Sequence, residues 1–168
     1  MSESTHLRSE KQTVPAVESP DGSTVDAIVK ALYESVSFPP GKQPDYTRLR
    51  SLFHREGRVI PPKVDKSAAT VILDVPSFIT RSWEYVVTTG MERKGFTERE
   101  IARRVDAYGN MVHVFSTYES RHLPEDAAII QRGINSIQLV RDSNRWWIAS
   151  IVWDLERPTN PIPKRYTI

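Results

Sequence analysis

Apolar side chains recur every three to four residues along Val25, Ile28, Val29, Leu32, Tyr33 and Val36, which is the spacing of one helix face. Ser23 or Thr24 stands where a cap belongs, Asp26 falls in the first turn, and Pro39-Pro40-Gly41 stops the run, so a first helix is expected here. Asp45 then precedes Tyr46, Leu49, Leu52 and Phe53 at similar spacing. Gly57 ends that pattern before Arg58-Val59-Ile60 and the Pro61-Pro62 break, which predicts a short second helix leading into a short strand. From Pro76 to Met91 the residues Phe78, Ile79, Trp83, Val86 and Val87 repeat near helical spacing, with proline at a helix start and Gly90 near the end. This is a third helix, although Val86 to Thr89 favour strand locally.

After the third helix the period becomes two. Phe96 to Tyr108, Met111 to Arg121, Arg132 to Val140 and Trp146 to Glu156 are rich in β-branched and aromatic residues. Turn sequences separate them, at Gly109-Asn110, at residues 122–126 and at Asp142-Ser143-Asn144. Helices first and a strand meander afterwards is the α+β layout, with three N-terminal helices packed on a curved antiparallel sheet. Residues 1–22 are poor in large apolar side chains and read as a disordered tail, residues 23–157 as the domain, and residues 158–168, with three more prolines, as an extended C-terminal tail.

Composition narrows the function classes. A chain of 168 residues with 39% hydrophobic side chains is long enough for one core, and the absence of cysteine removes disulfides, thiolate metal sites and cysteine nucleophiles. The net charge is only +2, and the basic residues Arg93, Lys94, Arg99, Arg103 and Arg104 are interleaved with Glu92, Glu98 and Glu100, so no nucleic-acid partner is expected. No apolar run approaches the roughly 20 residues that cross a bilayer, and no secretory segment opens the chain; no membrane partner and a cytoplasmic location are the expectation. Neither a metal-ligand spacing nor a glycine-rich phosphate loop occurs, so no metal and no cofactor are expected.

Three stretches carry a resemblance: Ile28-x-x-x-Leu32-Tyr33, the step from Leu52-Phe53 to Val59-Ile60-Pro61-Pro62, and the pair Ile137 to Asp142 with Arg145-Trp146-Trp147-Ile148 to Val152-Trp153. Together they resemble the nuclear transport factor 2-like superfamily, also called SnoaL-like or ketosteroid-isomerase-like, across about residues 24 to 157. The resemblance implies a cystatin-like cone, in which the sheet wraps the helices around a mostly apolar pocket. Its motifs specify the fold far better than an activity. Residues available to line such a pocket are Tyr33, Phe53, Phe78, Trp83, Phe115, Asn135 and Trp153, although most aromatic residues of a small domain simply fill its core.

The catalytic pattern of ketosteroid-isomerase-like proteins, carried over residue by residue, leaves a gap. Their general base would fall on Pro61, which has no proton acceptor, while Tyr33 matches the oxyanion tyrosine and the late-strand acid falls near Gly133, with Asn135 the nearest polar side chain. A limonene-epoxide-hydrolase-like Arg-x-Asp pair is matched in spacing by Arg104 and Asp106, with Asp154 as a distant third member, though alternating charge there reads more readily as a solvated strand face. Among the histidines, His6 lies in the tail, His122 in a loop, and His54 where it would cap the second helix. His113 shares a strand face with Phe115, Thr117 and Glu119 and is a candidate acid or base if that face is concave; Glu119, roughly 20 Å farther along, is too distant to orient it.

The last strand is apolar on both faces. Trp147, Ala149, Ile151 and Trp153 alternate with Trp146, Ile148 and Val152, so one face would cover the helices and the other, with Val112 and Val114, would be covered by a second subunit. A bulge would invert that assignment. The expectation is a homodimer through the outer sheet face, with a pocket for a hydrophobic small molecule in each subunit. The alternatives are a lyase, isomerase or hydrolase acting on a hydrophobic carbonyl or epoxide compound, with Tyr33, His113 and Asn135 as its polar groups, and an interaction domain without a ligand.

Overall fold

The computed structural model describes residues 20–63, 65 and 67–168. Most of the expected N-terminal tail, residues 1–19, lies outside the described residues. Pro20–Gly22, assigned to that tail from composition, form a 3₁₀ turn instead, held because the Arg48 guanidinium donates two hydrogen bonds to Asp21 at 2.8 and 2.9 Å.

Helix α1, Val25–Val36, begins where the Thr24 hydroxyl accepts the Ala27 N–H at 3.0 Å, and it buries Ile28, Val29, Ala31, Leu32 and Tyr33. Helix α2, Tyr46–Leu52, is capped by Asp45 and stops one turn earlier than its periodicity implies, because Phe53 is already extended (φ −89°, ψ 142°). Strand β1 therefore runs Phe53–Ile60 and includes His54. His54 does not cap the helix; its ring stands edge-on to Trp147 at 6.4 Å. Gly57 permits this early start, since a Cβ there would lie 2.9 Å from the His54 carbonyl and 3.2 Å from that of Ile148.

A two-residue strand β2, Leu73–Asp74, leads into α3, Val75–Thr88, which Asp74 caps and Pro76 starts. A four-residue helix α4, Met91–Lys94, follows, and then come β3, Thr97–Tyr108; β4, Met111–Arg121; β5, Gln131–Asp142; and β6, Arg145–Leu155. The six-stranded sheet has the order β2-β1-β6-β5-β4-β3 and is antiparallel except where β1 runs parallel to β6. The expected α+β cone is thus present, with helices on one side of an open, mixed sheet. The parallel pair arises because α2 delivers β1 beside the start of β6, with Phe53 opposite Ile148.

Bulges decide which side chains face inward. In β6 the register shifts so that Leu139 pairs with Ile148 and Gln138 with Ser150, leaving Ala149 without a partner. Alternation resets there, so Trp146 and Ile148 before the bulge and Ile151 and Trp153 after it all pack toward the helices. This corrects the simple alternation, which separates Trp146 from Trp153. Val112 and Val114, expected on the outer face, are 4% and 0% exposed on the inner one, opposite Leu139 and Ile137. Residues 158–168, expected as an extended tail, turn back at 158–159, cross the outer face and close in a 3₁₀ turn at Lys164–Tyr166: Thr117 donates to the Tyr166 carbonyl at 2.6 Å, and the Tyr166 ring lies 4.9 Å from Phe115. Among the described residues no helix is long and apolar enough to cross a membrane.

Ile28 is wholly enclosed in this core whereas Tyr108, at the β3–β4 hairpin, is 80% exposed. Ile28→Ala is expected to lower the unfolding free energy by about 2–5 kcal/mol and Tyr108→Ser by less than about 0.5 kcal/mol, read by urea denaturation.

Candidate functional site

The helices do not fill the space inside the sheet. A cavity of about 490 Å³ remains, walled by apolar side chains that include Leu32, Phe38, Phe53, Phe78 and Trp153. Phe78 and Trp153 meet edge to face at 6.1 Å, joining α3 to β6 across it. Pro61 and Pro62 line the cavity at the end of β1, so the position matched to a general base reaches the pocket and carries no acid there. Polar groups on the wall include Glu98, Tyr118, Gln131 and Asn135 from the sheet and Tyr46 and Ser82, hydrogen-bonded at 3.1 Å, from the helices, and the exposed side chains of Lys63 and Arg81 stand at its rim.

Of the residues singled out in the sequence, Phe53, Phe78, Asn135 and Trp153 line this cavity. Tyr33 is buried behind the wall rather than in it. Trp83 is 37% exposed and absent from the lining, because α3 turns Phe78, Ser82 and Val86 inward and Trp83 lies beside that face. Phe115 and His113 are on the outer face: β4 turns Val112, Val114, Ser116 and Tyr118 inward, which points the alternate residues away. His113 Nε2 lies 2.9 Å from Ser136 Oγ and its ring packs on Phe115. Arg104 and Asp106 are exposed on β3, and Asp154 is an exposed partner of Arg157 at 2.9 Å, so the Arg-x-Asp constellation is not assembled at the cavity.

Tyr33 is held in a directed chain of hydrogen bonds. Glu100 is a carboxylate bound by Arg103 Nε at 2.6 Å, and it accepts the hydroxyl proton of Ser116. Having spent its one proton, Ser116 accepts from Tyr33 at 2.6 Å, and the Tyr33 oxygen in turn accepts from Asn135 Nδ2 at 3.1 Å. Burial, chiefly, pushes the Tyr33 phenol well above its ordinary value. Its proton is therefore committed to the wall, unlike that of an oxyanion donor.

Glu98 is the group that sequence reasoning missed. Its neighbours alternate in charge as on a solvated strand, yet it lies two residues from the half-buried Phe96 and shares that face; the periodicity holds the signal, which the charges on either side conceal. A bulge at Ile101 then switches the face for the rest of β3. Desolvation raises the Glu98 carboxyl from 4.5 to about 8, against a smaller opposing effect from its hydrogen bond with Asn135. Beside it, Tyr118 is 2% exposed and pushed upward mainly by burial, and its hydroxyl accepts only a long 3.5 Å bond from Gln131. The phenol sits over Gly133, where a Cβ would be 2.7 Å from the hydroxyl. The position matched to a late-strand acid is thus glycine because the tip of another side chain occupies its space.

No family model matches the chain, and no curated protein matches its sequence. Solved structures do match in shape. An NTF2-like protein of unknown function from Silicibacter pomeroyi is 13% identical with a TM-score of 0.53, covering 78% of this chain and 92% of its own. A cystatin-like protein of unknown function from Nostoc punctiforme is 11% identical with a TM-score of 0.53, covering 70% and 80% respectively. A protein described as a candidate ketosteroid isomerase from Parabacteroides distasonis is 14% identical with a TM-score of 0.52, covering 80% and 89%. These likenesses establish the NTF2-like, cystatin-like cone as the fold of this protein and carry no activity with it.

Two predictions follow from the wall of the cavity. The folded chain keeps the Glu98 proton that the unfolded chain loses above about pH 4.5, so the stabilisation is full below that pH and is lost as pH rises toward about 8. The slope is at most about 1.4 kcal/mol per pH unit, and Glu98→Gln is expected to flatten it in urea denaturation curves recorded across that range. Gly133→Ala forces a methyl against both the Tyr118 hydroxyl and the Asp154 carbonyl, 2.6 Å away, and is expected to cost about 1–3 kcal/mol in the same assay.

Proposed function

We propose that the cone binds a small, mostly apolar molecule whose one polar group meets Glu98, Asn135 and Tyr118. One observation carries this reading: a carboxyl with no ion-pair partner among the described residues opens on an otherwise largely apolar cavity of about 490 Å³. A pocket of that size with a few convergent polar groups is the usual form of a small-molecule site. A core evolved only for packing would gain by closing such a space.

A second reading, an isomerase, lyase or hydrolase acting on a hydrophobic carbonyl compound, draws support from the same carboxyl. Glu98, raised to about 8, is suited to exchange a proton near neutral pH, and Tyr118 has a hydroxyl proton with no acceptor assigned within the wall. Glu98 would then stand in for the base missing at Pro61, from a different strand. The expected twofold homodimer through the outer sheet face belongs to the proposal as well; residues 158–168 already occupy part of that face, which leaves the exposed Met111 and Val152 for a second copy.

Native mass spectrometry of untagged protein tests the binding reading and the dimer together. The expected result is a dimer carrying a reproducible small adduct that is lost in Val36→Trp, which fills the cavity from α1. An adduct retained by that variant would place the ligand elsewhere, and a bare monomer would remove the dimer. With a substrate in hand, catalysis predicts that Glu98→Gln lowers kcat by about a hundredfold or more while KM changes by less than about threefold; equal losses point to binding alone.

A further inference from the structure

Among the described residues, carboxylates close to Glu98 in the sheet are paired with guanidinium groups. Glu100 is paired with Arg103 at 2.6 Å, and Glu119 with Arg99 at 2.6 Å and Arg121 at 2.9 Å. Burial alone would raise Glu119, but those two guanidinium groups hold it below its ordinary value. Glu98 has Asn135 for a hydrogen bond and no cation among the described residues. It faces a cavity whose wall includes the rings of Phe53, Phe78, Tyr118 and Trp153.

Such surroundings distinguish between ligand charges. Glu98 keeps its proton at neutral pH, so an added anion gains no ion pair there and a neutral group can only exchange hydrogen bonds with it. An ammonium ion gains more: as Glu98 gives up its proton to solvent, the ammonium pairs with the resulting carboxylate, and aromatic faces attract cations. Lys63 and Arg81 at the rim oppose positive charge there, though both are exposed and screened, so the outer end of the ligand carries no second cation. We propose that the ligand of the cone is a hydrophobic monoamine, bound as its ammonium ion with the charged nitrogen on Glu98 and its apolar body along the aromatic wall. This rests on the cone being a small-molecule site. The raised pKa of Glu98 in the empty cavity agrees with a carboxyl whose cation arrives with the ligand.

The test uses three probes of one shape and different charge: phenethylamine, phenethyl alcohol and phenylacetate, titrated at neutral pH by calorimetry. The expected result is that the amine binds about tenfold or more tightly than the alcohol and that phenylacetate binds most weakly. Glu98→Gln is expected to lower the amine-to-alcohol affinity ratio about tenfold, to near one. Arg81→Ser, which removes an exposed cation from the rim, is expected to raise the amine-to-alcohol affinity ratio about twofold, which keeps the test open should the Glu98 variant fail to fold. Equal binding of amine and alcohol, or tightest binding of phenylacetate, overturns the amine assignment and leaves the small-molecule reading standing. Failure of all three to bind at millimolar concentration overturns both.

Discussion

The destination of one proton, that of the Tyr33 hydroxyl, decides which groups remain for a ligand. Arg103 pairs with Glu100, Glu100 accepts a hydrogen bond from Ser116, and Ser116 must then accept from Tyr33. This chain ties α1 to β4, and Asn135 extends it to β5 by donating to the Tyr33 oxygen at 3.1 Å. A tyrosine so engaged locks the first helix into the sheet and has nothing left to donate. The polar groups that the sheet does turn to the cavity include Glu98, Asn135, Gln131 and Tyr118.

Shape is set by departures from regular alternation. The Ala149 bulge brings Trp146 and Trp153 to the same side of β6, so one strand supplies a bulky side chain to the core at both ends. The Ile101 bulge lets β3 present Glu98 inward at its start and exposed residues such as Arg104 and Asp106 farther on. Gly133 makes room for Tyr118, and Gly57 lets β1 begin within two residues of a helix end. Each is a local irregularity that a regular pattern passes over, and together they shape the cavity wall.

The helices and strands were legible because long amphipathic periods report burial directly: α1, α3 and the four long strands lie close to where hydrophobic spacing places them. Phe53, Phe78, Asn135 and Trp153 were legible as pocket residues through the resemblance, which carries the geometry of the cone. What escaped was anything that depends on register. His113 and Phe115 reach a pocket only if their face is concave, and the alternation of β4 alone does not say which of its two faces meets the helices; packing of Val112 and Val114 against β5 decides it. Glu98 was hidden by Arg99, Glu100, Arg103 and Arg104, whose charges mark a solvated strand even though one of their number is enclosed. The end of α2 was misplaced because Phe53 is apolar in either conformation, and only the pairing with Ile148 draws it into the sheet.

The account thus centres on a single carboxyl, desolvated and without a counter-charge, at the wall of an apolar cavity. Side-chain carbon NMR of the ligand-free protein labelled at glutamate, with the Glu98 signal assigned by its loss in Glu98→Gln, measures that state directly. The predicted midpoint of its titration is about 8. A midpoint near the ordinary 4.5 would show that Glu98 is solvated or paired, and would contradict both the enclosed carboxyl and the site built on it.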